Sequence, residues 1–222
     1  MISIIIPTRN EERKIVTTLR CLQEIRKKKI CEIICIDGSS IDKTIEKAHN
    51  LTDIILKHQP CRSLQLNIGA SVASGEILLF LHADTTISPE EIINLNNGIN
   101  KIKWGFYKIK FDSKKIQFKI LAFFINLRSK VFKYATGDQA IFVENKLFNS
   151  IGGFSNLKLM EDVNICSKLL KIHRPFFNKF HVITSSRRWD DYGFISTIFK
   201  MRLLRLMYYL GVKTEYLEKQ YK

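Results

Sequence analysis

Ile77-Leu78-Leu79-Phe80-Leu81-His82-Ala83-Asp84-Thr85-Thr86 is the stretch on which the reading of this chain turns. Five apolar residues in a row, Ile77 to Leu81, predict a strand buried on both faces, as in a parallel sheet. The run then breaks into His82, Ala83 and Asp84. An aspartate after a strand is ordinarily a turn or helix-capping residue. In an open α/β sheet the same position lies where ligands bind, beyond the carboxyl ends of the strands. The two readings are separated only by what the other strands end in.

Working outward, strands are expected at Ser3 to Ile6, stopped by Pro7, at Glu32 to Ile36 and at Asp53 to Leu56. Between them, Ile15, Leu19, Leu22 and Ile25 recur near helical period within Glu11 to Lys29, and Asp42 to Asn50 reads as a short helix. Ser63 to Ser74 reads as a helix with small residues on one side, ending at Gly75, and another helix follows Pro89. Strands alternating with helices predict an α/β fold, a mainly parallel sheet covered on both faces.

After Trp104 the rhythm changes. Trp104 to Phe111 alternates as an antiparallel strand does, and Lys114 to Lys133 is a basic, aromatic-rich helical stretch. Gly152-Gly153 signals a turn, Glu161 to Lys171 a helix and Phe176 to Thr184 a strand. Phe194 to Leu210 carries Ile195, Phe199, Leu203, Leu206 and Leu210 at spacings of three and four, an amphipathic helix. We read a single domain over 1–222, with a nucleotide-binding half (1–103) and an acceptor-side half (104–222) that adds a small antiparallel extension and the C-terminal amphipathic helix.

Thirty-six Lys and Arg against 21 Asp and Glu give a net charge of +15. Such a surplus favours acidic partners: nucleic acid, nucleotide phosphates or an anionic membrane surface. Five cysteines without zinc-type spacing read as reduced thiols of a cytoplasmic protein. Met1 leads straight into a strand, so no signal peptide is expected, and no run reaches the 18 or so apolar residues a membrane helix needs.

The strand ends are the informative part. The first is followed by Pro7-Thr8-Arg9-Asn10-Glu11, the second ends in Asp37-Gly38-Ser39-Ser40, and the Ile77 strand runs into Asp84. Alone, each acid reads as a cap; three on one sheet edge favour a site. The first loop has neither the Gly-x-Gly-x-x-Gly turn of a dinucleotide fold nor a P-loop. A nucleotide here would be held by side chains and a metal rather than by glycine amides.

These blocks, with Ile36 to Thr44, Leu81-His82-Ala83-Asp84 and Met160-Glu161-Asp162, resemble the family 2 glycosyltransferases of GT-A fold. Cys61-Arg62-Ser63-Leu64-Gln65-Leu66-Asn67-Ile68-Gly69-Ala70, Gly137-Asp138-Gln139, Gly152-Gly153-Phe154 and Ser185-Ser186-Arg187-Arg188-Trp189-Asp190 resemble a short bacterial subfamily, the selenodomain-associated transferases. The resemblance implies an inverting, metal-dependent, hexosyltransferase-type enzyme. It would move a sugar from a nucleotide-diphosphate donor, of UDP type, to a hydroxyl or carboxylate acceptor, with a lipid or carotenoid-like acceptor as a further implication. Ala122-Phe123-Phe124-Ile125 amid lysines and Phe199 to Tyr209 among Arg202 and Arg205 combine apolar and basic groups, which suits peripheral contact with the inner face of the cell membrane or a buried helix alike.

By the same resemblance Asp84 binds Mn²⁺ or Mg²⁺, a hard cation that needs one or two carboxylates plus phosphate oxygens. The family often has Asp-x-Asp there; His82 replaces the first aspartate, leaving Asp84 as the direct ligand. Asp162 would be the general base, with Glu161 supporting it. Pro7, Thr8, Asn10, Glu11, Asp37 and Arg62 would line the nucleoside side, and Asp138, Gln139, Arg187, Arg188 and Trp189 complete the set, the arginine forks suiting a diphosphate. Simpler readings stand beside these. Glu161 and Asp162 suit any helix N-terminus, Trp189 suits a core, and His173 and His181 read as surface or core histidines rather than metal ligands. A nucleic-acid-binding module, the reading suggested by charge alone, would not need three ordered strand-end carboxylates, and no nucleic acid partner is expected.

Overall fold

The computed structural model describes residues 1–98 and 102–221. Its elements are β1 (Ile2–Thr8), α1 (Ile15–Cys21), α2 (Gln23–Lys27), β2 (Cys31–Asp37), α3 (Thr44–Ala48), β3 (Ile54–Lys57), α4 (Arg62–Ser71), β4 (Ile77–Phe80), β5 (Thr85–Thr86), α5 (Pro89–Asn97) and β6 (Trp104–Phe111). There follow α6 (Ile116–Phe132), β7 (Phe142–Glu144), α7 (Asn145–Ser150), α8 (Glu161–Leu170), β8 (Phe176–Thr184), α9 (Arg187–Tyr192), α10 (Phe194–Tyr209) and α11 (Thr214–Tyr221).

One eight-stranded sheet runs through both halves in the order β3-β2-β1-β4-β7-β6-β8-β5. β1 pairs in parallel with β2 and β4, and β2 with β3. The register sets Thr8 opposite Asp37 and Ile5 opposite Phe80, so these strands finish along one edge. β7 pairs antiparallel with β4 and with β6.

Side chains alternate across a strand, and the cores follow that rule. Ile2, Ile4 and Ile6 join Leu79, Leu19, Leu22 and Ile92 in one cluster. Ile5 joins Leu78, Phe80, Leu66, Phe106 and Ile165 in another on the opposite face. Both faces are therefore sealed, which is why β1 and β4 are nearly continuous apolar runs. Each fully buried isoleucine contributes roughly 1.5–3 kcal/mol. α4 packs so closely that a Cβ on Gly69 would lie 2.4 Å from Ile5 Cγ2. A third, smaller cluster of Leu159, Met160, Val163, Leu204 and Leu217 holds α10 and α11 against α8.

The structure corrects several expectations. The first helix starts at Ile15, not Glu11, because Asn10 takes a left-handed φ of 55° and side chains of Thr44 and Asp42 accept the Glu11 and Glu12 amides. β6 is antiparallel to β7 but parallel to β8. The apolar stripe of α10, which suited a buried or a membrane-facing helix alike, points outward: Ile195 is 80% exposed and Phe199 70%, with Leu210 just past the helix at 75%, while Thr197 and Leu204 are the buried ones. The Gly152-Gly153 turn is present, with φ of 70° and 61°. No described helix is long and apolar enough to cross a membrane.

Candidate active site

A cleft of about 1460 Å³ opens at the sheet edge where β1 and β4 end. Pro7 and Thr8 from β1 and His82, Ala83 and Asp84 from the end of β4 form its floor. Arg62 on α4 and Glu161 and Asp162 on α8 stand on one side, and Arg187, Arg188 and Trp189 of α9 on another. Residues of α6 and α10 complete its lining.

The all-buried β4 fixes the backbone that carries Asp84. Its neighbour Thr85 pairs with Thr184 of β8, Oγ1 to Oγ1 at 3.0 Å, which ties the aspartate's loop to the segment leading into α9. The nearest side-chain donor to the Asp84 carboxylate is Thr85 Oγ1 at a long 3.5 Å. Burial raises the Asp84 pKa, and the Arg187 charge offsets part of that. Glu11 is likewise raised by burial, then lowered by Arg187, whose Nη2 donates to both its carboxylate oxygens at 2.9 and 3.0 Å.

Met160 precedes α8 with a left-handed φ of 66°, an uncommon conformation for a side chain of its size. The turn sets the next two acids on different partners. Glu161, buried, meets Arg62 Nη1 at 3.1 Å. Burial pushes its carboxyl up, while the adjacent guanidinium, itself raised chiefly by Glu161, opposes the shift. Asp162 lines the cleft, accepting from the Gly137 amide at Oδ2 (2.8 Å) and from the Val163 amide at Oδ1 (2.7 Å). Two backbone donors fix the carboxylate while a lone pair on each oxygen is left over.

His82 sits beneath Gly137, where a Cβ would come within 2.4 Å of its Nε2. Burial, then the Arg62 charge, depresses its pKa to about 3, so it is a neutral packing group near pH 7. His173 and His181 do not line the cleft; His181 lies on β8 opposite Lys108. Among the described residues no three His, Cys, Asp or Glu side chains converge into a cage. The donor set fits a cation held by Asp84 with Glu11 nearby, whose remaining ligands would be phosphate and water oxygens.

Comparison with known proteins agrees with this architecture. The profile described as glycosyl transferase family 2 matches residues 3–103. An uncharacterized glycosyltransferase of Haemophilus influenzae is 26% identical over 219 residues, covering 86% of this chain and 72% of its own. The fold is shared with S. aureus TarS 1–349 at a TM-score of 0.66 and 22% identity, over 83% of this chain. Residues 3–103 therefore form a glycosyl transferase family 2 region. The chain has the GT-A fold. It spans 60% of the TarS 1–349 chain, a protein also solved in complex with UDP-GlcNAc. Similarity extends to the mannosyltransferase PcManGT from Pyrobaculum calidifontis, in complex with GDP-Man and Mn²⁺, at a TM-score of 0.60 and 17% identity over 82% of this chain and 56% of that one.

Within this GT-A fold, Pro7, Thr8, Glu11, Arg62, Asp84, Asp138, Glu161, Asp162, Arg187, Arg188 and Trp189 all line the cleft. Asn10, Asp37 and Gln139 do not. Asn10 braces the two loops, its amide donating to Ser40 Oγ and its Oδ1 accepting from the Ile41 amide. The Asp37 carboxylate is 1% exposed and takes hydrogen bonds from Thr8, the Ser40 amide and the Ser40 hydroxyl. Gln139 is buried, bonding Ser129, Arg128 and the Tyr107 carbonyl. Trp189 packs edge-on against Phe111 at the cleft wall.

Three cleft residues escaped the sequence reading. Gln65 ties the ends of β1 and β2 by donating to the Thr8 and Ile36 carbonyls at 3.2 and 2.7 Å. A buried glutamine in a helix of small residues was its only signal. Arg128 and Arg205 also line the cleft. Nothing in a basic, aromatic-rich sequence tells which arginine turns inward.

Proposed function

We propose that the chain is an inverting, metal-dependent transferase that moves a sugar from a nucleotide-diphosphate donor, of UDP type, to an acceptor nucleophile. The observation that carries this reading is the placement of Asp84 and Asp162 on one cleft, each on a fixed backbone, with Arg187 beside the first. Residues 1–103 would supply the donor side and 104–222 the acceptor side. Asp84, with Glu11 near it, would hold Mn²⁺ or Mg²⁺, which supplies charge neutralisation of the leaving diphosphate. Arg187 would add a guanidinium fork to that diphosphate. Asp162 takes the proton from the acceptor hydroxyl as its oxygen attacks the anomeric carbon, and the nucleoside diphosphate departs from the opposite face. Thr8, Asp37, Arg62 and Pro7 would shape the nucleoside pocket. In this reading Asp37 acts through the loop it folds unless its hydrogen bonds to Ser40 are exchanged for a base. The reading gains support from solved proteins of the same fold that bind UDP-GlcNAc, UDP and GDP-Man.

Calorimetric titration of UDP, then GDP, with and without Mn²⁺, tests it. Mn²⁺-dependent UDP binding that disappears in Asp84→Ala is expected. Absence of nucleotide binding under every condition would overturn the assignment.

A further inference from the structure

Two cationic side chains in the cleft have no role in the donor site. Arg128, on α6, and Arg205, on α10, both lie over the Tyr134 ring, their Cζ atoms 4.9 and 5.8 Å from its centroid. Among the described residues neither is in an ion pair with a carboxylate. The partners of Arg128 Nη2 are neutral oxygens, Ser129 Oγ at 3.2 Å, Gln139 Oε1 at 3.3 Å and Thr136 Oγ1 at 3.4 Å. The Nε atoms of both arginines are buried with no hydrogen-bond partner. Burial, and next the Arg205 charge, lower the Arg128 pKa, as two like charges held together require. The nearby Asp138 and Asp162 carboxylates offset part of that repulsion, and a bound anion would offset more of it.

The same two helices also carry exposed apolar side chains. Phe124, Leu127 and Phe132 of α6 line the cleft and are still 55%, 44% and 64% exposed. Ile195, Phe199 and Leu206 extend an exposed apolar face along α10. Exposed Lys119 and Lys130 sit among the apolar residues of α6, an apolar face mixed with basic groups, as in helices that lie in an anionic bilayer surface. The cleft therefore opens onto a surface that is apolar and basic at once.

We infer that Arg128 and Arg205 form an acceptor site for the phosphate-class head of a bilayer lipid whose apolar part leaves the cleft between α6 and α10. This rests on the transferase reading for the name acceptor, but not for the binding itself. Phosphate oxygens match paired guanidinium groups.

The test uses the full chain and vesicles of phosphatidylcholine alone, or with an equal share of phosphatidic acid or phosphatidylglycerol, the first anionic lipid exposing a phosphate monoester. Co-sedimentation should show no binding to phosphatidylcholine and about tenfold tighter binding to phosphatidic acid than to phosphatidylglycerol. R128Q/R205Q should abolish that preference, whereas K119Q/K130Q should weaken both anionic vesicles alike. Mn²⁺-dependent UDP titration of each variant reports separately on the donor site, and circular dichroism on folding. A phosphatidic acid preference that survives in R128Q/R205Q overturns the site. Binding of inorganic phosphate that R128Q/R205Q removes, without any vesicle binding, overturns the lipid as its source. Loss of UDP binding with the vesicle pattern intact would sink the transferase reading alone.

Discussion

Arg187 and Glu11, 176 residues apart, are joined across the cleft by one guanidinium nitrogen that meets both carboxylate oxygens at 2.9 and 3.0 Å. This contact fastens the loop after the first strand to the helix after the last. It also places a fixed positive charge near Asp84, whose carboxyl feels it as the largest influence opposing burial. Arg187→Ala is therefore expected to weaken UDP binding in the presence of Mn²⁺ about tenfold, the low end for a charge-assisted contact, because Arg187 is 37% exposed. Arg187→Lys should recover only part. Unchanged UDP affinity in the alanine variant would remove Arg187 from the diphosphate site.

Asp162→Asn separates binding from chemistry. The amide keeps the size of the side chain but cannot take a proton. Mn²⁺-dependent UDP binding should persist while transfer falls about 10²–10⁴-fold, the range for losing a general base. Transfer at near wild-type rate would show that another group removes the proton.

Gly105 tests the junction of the two halves of the sheet. A Cβ there would lie 2.1 Å from the Phe176 carbonyl oxygen and 2.7 Å from Phe142 Cζ. Neither neighbour has room to retreat inside β6 and its partners. Gly105→Ala should lower stability by about 3 kcal/mol, read as a shift of the urea midpoint without a change in slope. A midpoint within error of wild type would mean that β6 can slide relative to β8.

The buried thiols predict an alkaline limit. Burial pushes Cys31, Cys35 and Cys166 from the ordinary 9.0 up to about 12. Unfolded, these thiols lose their protons near pH 9; folded, they keep them. Stability from each is complete below pH 9 and is lost as pH rises towards 12, at up to about 1.4 kcal/mol per pH unit. Urea unfolding at pH 8, 9.5 and 10.5 should show that decline, and Cys35→Ala with Cys166→Ala should flatten it. A slope identical in the variant would assign the alkaline loss to other groups.

These residues also show what a sequence discloses. Ile77 to Leu81 was legible because sealing both faces of a strand demands an uninterrupted apolar run, and Asp84 followed from the edge where such strands end. β7 and β5 were not, since three and two residues carry no period. The stripe on α10 was legible as amphipathic, but whether it was buried or outward-facing stayed open. Periodicity gives the angle between faces and never which face finds a partner. The strand-end acids were visible as a group, yet only coordinates separate Asp37, with its oxygens already bonded, from Asp84, with its oxygens nearly free. Arg128 and Arg205 had no local signal, because their pairing exists only once α6 and α10 meet over Tyr134.

The small cluster under α10 and α11 has a consequence for timing. Five buried side chains, with partly buried ones such as Met201 and Tyr208 against them, hold α10 and α11, against the much larger sets that hold the sheet. Cooperative units with so little buried apolar area open more often than the whole molecule unfolds. Freeing α10 and α11 from α8 is therefore expected to cost less than unfolding the sheet in which β1 and β4 hold Thr8 and Asp84.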